Sequence, residues 1–395
     1  MSSTTKKPIN LHDKRGKLVL SVLLILTIIT ASISAFQFLP RNVAELQYSE
    51  KTLFLDNNTL LNGNYPIHNF TNPPAYLYLS PFNHELYIQS YNDAYNQTFV
   101  MNTTTHQIVE KLYFPMSWAW YEFDFNTGNG ITYVPYNSYN GSKGMLELDK
   151  NNHIVANVST PYDYSSITYD PYNSELYAYR IIGFGYQLVT LNNSFYPQKE
   201  IYFTPQNAML EYNPVNHLMY SLNEYSNSIT VVSPNNTIVK NVTVGAFPDG
   251  MALDPSSGSM YVSNVFNLSV VTANLNVTSS PNFDIYSVGD LEAVAFDNVS
   301  HVAVLALHSG ELAVMQGTRN LIGYINVGEV PNSAVYDPYN REVYVANFDS
   351  SSISILNITV NHTSQIVIPW ISSGILFALL ITDSWLYMNW KRMKG

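Results

Sequence analysis

The chain has 395 residues, of which 12% are charged and 14% aromatic, and its formal net charge is −11 at pH 7. It contains no cysteine, which excludes disulfides, thiolate metal sites, c-type haem attachment and cysteine nucleophiles. Its hydrophobic content of 46% is enough for a large core, so the composition does not indicate disorder.

The charge is unevenly distributed along the chain. Residues 1–17 carry five basic side chains and one acidic one, and the last five residues carry three basic ones. Residues 40–365 carry 10 basic side chains against 27 acidic ones. This acidic region has no basic stripe to neutralise phosphates, which argues against nucleic acid as a partner.

The first hydrophobic segment covers residues 18–39, a run of 22 residues without a charge. A helix of that length crosses about 30 Å of hydrocarbon, so the segment is predicted to be a transmembrane helix. The alternative is a cleaved signal peptide, because residues 33–35 (ISA) resemble a small-residue cleavage site.

The second hydrophobic segment covers residues 366–390 and is apolar except for Asp383. Aromatic residues lie at both of its ends, and the basic residues of 391–395 follow, as expected of a transmembrane helix with a cytoplasmic flank. Asp383 is expected near the membrane interface; the alternative is a functional acid within the membrane. Residues 1–17 and 391–395 are then cytoplasmic tails, and residues 40–364 form an extracellular domain at the plasma membrane.

N-glycosylation triplets support this topology. All of them lie between the two hydrophobic segments, although a triplet alone is a weak signal in a chain rich in Asn. Their density favours an exported, glycosylated surface. The 14 acceptors are Asn57, Asn69, Asn96, Asn102, Asn140, Asn157, Asn192, Asn235, Asn241, Asn267, Asn276, Asn298, Asn357 and Asn361.

One pattern recurs between the two segments: a short apolar strand, a turn of the Asp-Pro-x-Asn type, and a strand that carries Tyr. The clearest copy is YDPYNREVY at residues 336–344. The turns are anchored at Ser80, Asp124, Asp170, Asn213, Asp254, Asp297 and Asp337, with spacings of 44, 46, 43, 41, 43 and 40. Seven copies of a period near 43 predict an all-β, seven-bladed β-propeller with four-stranded blades.

The last copy has room for only three strands before the second hydrophobic segment. A blade cannot bury both of its faces alone, so the ring must close. We therefore predict that a strand at about residues 47–55 pairs with blade seven and closes the ring.

Two copies carry a more specific motif: YVSN at residues 261–264 after GAFP at 245–248, and YVAN at 344–347 after GEVP at 328–331. These residues resemble the YVTN-repeat β-propellers, which are common in archaeal surface-layer-associated and bacterial periplasmic proteins. The resemblance covers about residues 45–360. It implies the fold, but propellers serve both as surface proteins and as lactonases or redox enzymes, so it does not decide the function.

No catalytic signature is present. The nine His residues form no H-x-H or HExxH pattern, and the chain has no G-x-S-x-G, P-loop or Rossmann glycine motif. His84 and His217 occupy equivalent turns and are predicted to be exposed turn residues. His301 and His308 are seven residues apart, and a shared role as ligands is the weaker interpretation. We expect no metal site, no cofactor and no enzymatic activity.

The family resemblance places the segment that enters each innermost strand at the mouth of the central channel. Side-chain types at these segments differ between blades, whereas a purely structural position would repeat. The mouth is predicted to bind a cation, a sugar or a cationic ligand; the alternative is a wet channel without a ligand. The candidate residues are Trp118, Tyr162, Asp163, Asn207, Asp249, Asp290, Glu292 and Asn332.

The sequence therefore predicts a membrane-anchored, N-glycosylated surface protein that binds envelope proteins, glycans or surfaces. Its many Tyr and Asn residues suit recognition by stacking and hydrogen bonding. The alternative is a propeller enzyme or redox subunit, lactonase-like or dependent on a metal or quinone, that uses the channel mouth. A sensor or transporter role ranks last, because the predicted cytoplasmic tails are too short for a signalling domain.

Overall fold

The computed structural model describes residues 41–55, 60–62, 73–90, 97–114, 122–138, 140–183, 185–201, 209–283 and 289–365. Every regular element in these ranges is a β-strand, and the strands form seven sheets. Six sheets have four strands, and the seventh has five. The prediction of an all-β, seven-bladed propeller is confirmed.

The strands of each blade follow one another along the chain from the innermost to the outermost. Blade 1 consists of β3 (Pro74–Leu79), β4 (Glu85–Ser90), β5 (Gln97–Asn102) and β6 (Gln107–Tyr113). Blade 2 consists of β7 (Asp124–Asn126), β8 (Ile131–Asn137), β9 (Lys143–Leu148) and β10 (Ile154–Ser159). Blade 3 consists of β11 (Tyr164–Asp170), β12 (Glu175–Ile182), β13 (Gly185–Leu191) and β14 (Pro197–Ile201). Blade 4 consists of β15 (Leu210–Asn213), β16 (Leu218–Asn223), β17 (Ser228–Val232) and β18 (Ile238–Thr243).

The later blades continue in the same order. Blade 5 consists of β19 (Pro248–Asp254), β20 (Ser259–Asn264), β21 (Asn267–Val271) and β22 (Val277–Ser279). Blade 6 consists of β23 (Leu291–Asp297), β24 (Val302–Leu307), β25 (Glu311–Gln316) and β26 (Asn320–Asn326). Blade 7 consists of β27 (Pro331–Asp337), β28 (Glu342–Asn347), β29 (Ser352–Gln365) and, from the start of the chain, β1 (Arg41–Leu55), on which β2 (Leu60–Asn62) lies.

The same side-chain cap closes the first turn of every blade. An oxygen of the last innermost-strand residue, or of Ser80 in blade 1, accepts a hydrogen bond from the backbone N–H two residues later. This is the turn that Asp, Asn and Ser favour. In blade 2 the cap is Asn126, whose Oδ1 lies 2.9 Å from the N of Gly128. The prediction that Asp124 fills this position is wrong, because Asp124 lies two residues earlier within β7.

A Tyr of the second strand ties blades 1, 3 and 7 to the blade that follows each of them. The hydroxyl of Tyr87 donates to Asn152 in blade 2, and that of Tyr177 donates to Asn236 in blade 4. In blade 7, the hydroxyl of Tyr344 lies 3.2 Å from the carbonyl oxygen of Thr103 in blade 1. These Tyr side chains are buried. Part of the Tyr and Asn content therefore holds blades together, so this content supports recognition by stacking and hydrogen bonding less strongly than the composition alone indicates.

The ring closes as predicted, with β1 as the outermost of the four radial strands of blade 7. Leu53 packs with Ile353 and Ile355, whereas Leu46 packs with residues further along β29, among them Ile358. The two strands are therefore antiparallel. The hydroxyl of Ser354 also donates to the carboxylate of Glu50 at 3.0 Å. Leu53 belongs to a buried cluster that includes residues of blade 1, so β1 joins the two blades that meet at the closure.

The molecule divides into two units. Residues 46–360 form the propeller unit, and residues 1–45 and 361–395 form the other, in which residues 41–45 and 361–365 are described. No helix among the described residues is long and apolar enough to span a membrane. Both predicted transmembrane segments, 18–39 and 366–390, lie outside the described residues.

The glycine of each G-x-x-P motif makes room for the asparagine that ends the motif's second strand. A Cβ on Gly328 would lie 2.7 Å from the Cβ of Asn347 and 2.2 Å from the Oγ of Ser350. Asn347 is fully buried, and its amide donates to the hydroxyls of Ser352 and Ser354. Gly245 lies equally close to Asn264 in blade 5. In this chain the glycine of the motif therefore allows close packing of the backbone against a buried Asn of the same blade.

We expect Leu53→Ala to lower the free energy of unfolding by about 2–5 kcal/mol, because it opens a cavity where β1 closes the ring. Chemical denaturation of the full-length chain measures this change. Leu321→Ala on the outermost strand of blade 6 is the matched control, since Leu321 is 41% exposed whereas Leu53 is 1% exposed. Equal effects of the two substitutions would contradict a closure that depends on β1.

A methyl group at Gly328 should cost about 1–3 kcal/mol through overpacking against Asn347 and Ser350. The comparison is Gly328→Ala against Gly185→Ala, because the nearest atom to a Cβ on Gly185 is 3.9 Å away. Melting temperatures of the two variants provide the measurement. Unchanged stability of Gly328→Ala would show that the motif does not serve this packing.

Candidate functional site

A recurring β-bulge marks the start of the innermost strands, which in a propeller surround a central channel. The register with the second strand breaks at this point in blades 1, 3, 5, 6 and 7. A bulge leaves a residue unpaired and turns its side chain out of the ladder. In blades 5, 6 and 7 that residue is Asp249, Glu292 and Asn332, respectively. Three predicted site residues thus occupy one equivalent position in three consecutive blades.

Asp249 and Glu292 lie close to each other, and His308 joins them. The Nδ1 atom of His308 lies 2.7 Å from Oε1 of Glu292, in a pair whose His side chain is 54% exposed. Burial, together with the nearby carboxylates of Glu292 and Glu224, raises the pKa of Asp249 to about 7. The backbone N–H of His308 also donates to the carbonyl of Asp290 at 2.9 Å. We call Asp249, Asp290, Glu292 and His308 the mouth group.

The remaining candidates have different surroundings. Asn332 has a buried side-chain oxygen without a hydrogen-bond partner. Asp163 accepts a hydrogen bond from Asn137 at 2.5 Å and forms an ion pair with Lys143 at 3.5 Å. Tyr162 lies under the guanidinium of Arg180. Asp163 and Tyr162 are therefore engaged in contacts within blades 2 and 3. Trp118 and Asn207 lie outside the described residues.

A second group of acids lies further along the innermost strands. Glu122 and Asp124 belong to blade 2, and Glu211 belongs to blade 4. Burial raises the pKa of Glu122 to about 7, that of Asp124 to about 6 and that of Glu211 to about 8. The charges of Asp124 and Glu122 contribute to the shift of Glu211. We call Glu122, Asp124 and Glu211 the channel acids.

Tyr76 of blade 1 lies near one member of each group, Glu122 of the channel acids and Asp249 of the mouth group. Burial raises its pKa, and the charges of Glu122 in blade 2 and Asp249 in blade 5 raise it further. Residues of blades 1, 2, 4 and 5 therefore converge on the region enclosed by the innermost strands. Among the described residues, no group of three or more His, Asp and Glu side chains could hold a metal ion.

Sequence reasoning did not propose the channel acids as site residues, and it considered His308 only in a shared ligand role with His301, the weaker interpretation. The repeat does contain a signal for the acids, because the position two residues before the turn cap is Ala in blades 5 and 6 but Asp124 in blade 2 and Glu211 in blade 4. Taking Asp124 as the cap hid this pattern. The pairing of His308 with Glu292 depends on the register of β23 and β24, which the sequence alone does not fix.

The fold and the channel define this protein as a seven-bladed β-propeller with an acidic central channel. No family model matches the chain, and no curated protein matches it. Solved structures share the fold. Selenomethionine-substituted virginiamycin B lyase from Staphylococcus aureus is 11% identical, with a TM-score of 0.59 over 79% of this chain and 99% of that chain. The Cps50 (Swd1) β-propeller domain from Myceliophteria thermophila is 11% identical, with a TM-score of 0.56 over 73% of this chain and 97% of that domain.

The raised pKa values predict that stability falls as the pH rises. Because the folded pKa of each acid exceeds its unfolded value, the folded state binds more protons, and this contribution is lost as the pH passes through about 6 to 8. The free energy of unfolding should be about 2 kcal/mol or more higher at pH 5 than at pH 8. Glu211→Gln should reduce this difference, whereas Glu329→Gln at an exposed position should leave it unchanged. Chemical denaturation at pH 5 and pH 8 measures this difference in the free energy of unfolding. Greater stability at pH 8 would contradict the raised pKa values of these acids.

Proposed function

We propose that this protein is a membrane-anchored, N-glycosylated β-propeller on the cell surface that binds envelope proteins, glycans or surfaces and acts as a scaffold for them. The observation that carries the proposal is the pairing of the two strands next to the hydrophobic segments. The first described strand begins at Arg41 and the last ends at Gln365, and these strands are neighbours in one sheet. The hydrophobic segments 18–39 and 366–390 therefore continue from neighbouring strands, which suits two adjacent anchors in one bilayer.

The accessibility of the glycosylation triplets supports an exported surface. None of the eleven described acceptors is buried, and seven of them are exposed: Asn140, Asn157, Asn192, Asn235, Asn241, Asn276 and Asn357. Six other described asparagines are buried, and none of those begins a triplet. Asn57, Asn69 and Asn96 lie outside the described residues.

Three of the exposed acceptors share one position within the blade. Asn192, Asn235 and Asn276 lie in the turns between third and fourth strands. The sequence repeat predicts turns of this kind at Asn192, Asn235 and Asn357. For Asn357 this prediction is wrong, because the fourth strand of blade 7 comes from the start of the chain and β29 runs on through Asn357. Asn357 is nevertheless exposed.

Membrane association and glycosylation can be tested together in cells that produce the full-length chain. We expect the chain in the membrane fraction, with a mass that falls on treatment with an N-glycosidase. Asn235→Gln should remove one glycan, because Asn235 is exposed in a turn, whereas Asn216→Gln, which is not in a triplet, should not. A soluble chain whose mass the glycosidase leaves unchanged would contradict this proposal.

An enzymatic function is the second candidate, and the mouth group favours it. A carboxylate beside an imidazole, next to an acid that titrates near pH 7, is an arrangement suited to proton transfer. One similar structure is a catalytically inactive variant of virginiamycin B lyase with quinupristin, 11% identical to this chain with a TM-score of 0.60. Quinupristin, the compound in that lyase structure, therefore serves as the test substrate for an enzymatic function.

The assay is conversion of quinupristin by the purified full-length chain, followed by chromatography. Conversion that is lost in His308→Asn but kept in His84→Asn, an exposed turn histidine, would support the enzyme. Metal analysis and an absorption spectrum of the same sample test for a redox centre. The preferred scaffold function predicts no conversion and no stoichiometric metal.

A further inference from the structure

The channel acids form a cluster that the surface function does not use. Glu122 and Asp124 are both fixed by β11 of blade 3. The hydroxyl of Ser166 donates to Oε2 of Glu122 at 2.5 Å, and the backbone N–H of Tyr169 donates to Oδ2 of Asp124 at 2.8 Å. β11 contacts both β7 and β15, so it lies between the acids of blade 2 and Glu211 of blade 4. Three carboxylates from two blades are thus held around one strand.

Nothing in the described part of the chain neutralises these carboxylates. No Lys, Arg or His there forms an ion pair with Glu122, Asp124 or Glu211. The nearest charges that act on them are each other's, and they repel. Glu122, Asp124 and Glu211 are partly buried, and a group of like charges removed from water in this way is costly unless it takes up protons or binds a cation.

Unpartnered hydroxyl groups beside the acids point independently to a ligand. The hydroxyl oxygen of Tyr78 is shielded from solvent and has no hydrogen-bond partner. Burial raises the pKa of Tyr78, and the nearby charge of Glu122 raises it further. The ring of Tyr78 lies 4.1 Å from the ring of Phe123, the residue after Glu122. Ser165 is more than nine-tenths buried, its hydroxyl has no partner, and its carbonyl accepts the N–H of Glu122 at 2.8 Å. Buried polar groups without a partner are uncommon in folded proteins.

We propose that Glu122, Asp124 and Glu211, with the hydroxyl of Tyr78, form a site in the central channel that binds an organic ammonium ion. A bare metal ion needs several ligands at coordination distance, and the described acids do not offer such a group. An amine instead donates separate N–H hydrogen bonds, so it can bridge carboxylates that are further apart. The site is independent of membrane anchoring and glycosylation, so its failure would leave the surface function untouched.

Binding should depend on pH. The titratable groups near the channel acids are Tyr76 and Tyr78 of blade 1 and Tyr179 of blade 3, with Asp249 of blade 5 near Tyr76, and none of them is cationic. Raised pKa values keep the channel acids largely protonated near pH 5 and ionised above about pH 8. An ammonium ion therefore has to displace protons near neutrality, and its affinity should rise between pH 5.5 and pH 8.

Calorimetric titration of spermidine into the full-length chain tests the site at pH 8 and pH 5.5, with ionic strength matched by NaCl. We expect saturable binding at pH 8 that weakens at least tenfold at pH 5.5. Glu122→Gln combined with Glu211→Gln should abolish it. Tyr78→Phe, which removes one hydroxyl, should weaken it by about tenfold.

The matched control is Glu329→Gln combined with Asp349→Asn, which removes two exposed carboxylates and should leave spermidine binding unchanged. Calcium and magnesium chloride are titrated separately. Spermidine binding that persists in the Glu122→Gln, Glu211→Gln variant, or saturable binding of calcium or magnesium without spermidine, would overturn the proposal. Absence of all saturable binding at pH 8 would overturn it as well.

Discussion

Closure of the ring is the constraint on which the rest of this structure depends. Each blade is a small antiparallel sheet with apolar side chains on both faces, and the buried clusters are shared between neighbouring blades. A blade therefore gains most of its core only when its neighbours are present. Strand β1 completes this arrangement, because Leu53 fills a cluster shared by blades 7 and 1 and Tyr344 bonds to blade 1.

The same constraint decides where polar residues are found. Tyr and Asn serve as links between blades, as in the bond from Tyr177 to Asn236, and a Glu of the second strand completes such links, since Asn236 donates to Glu175 and Asn152 donates to Glu85. Closure also forces the innermost strands together, so acids on those strands accumulate around one axis. Their raised pKa values are a direct consequence, and they make the interior of the ring sensitive to pH.

The fold was predictable from the sequence because its determinants are local and repeated. The turn caps, the period near 43 and the missing fourth strand of blade 7 identify the blade number and the closing strand. The site was predictable only in part. Asp249, Glu292 and Asn332 could be found from the segments that enter the innermost strands. Glu122 and Glu211 could not be brought together, because they belong to blades 2 and 4 and meet only through ring geometry.

Native-state hydrogen exchange at increasing denaturant tests most directly whether the ring is one cooperative structure. The probes are amides in the second strand of each blade, from β4 in blade 1 to β28 in blade 7. If no blade is stable alone, the slowest amides of all seven blades should converge on a single free energy of opening. Blades that open independently, each with its own free energy and with blade 4 still protected after blade 7 has exchanged, would contradict the account.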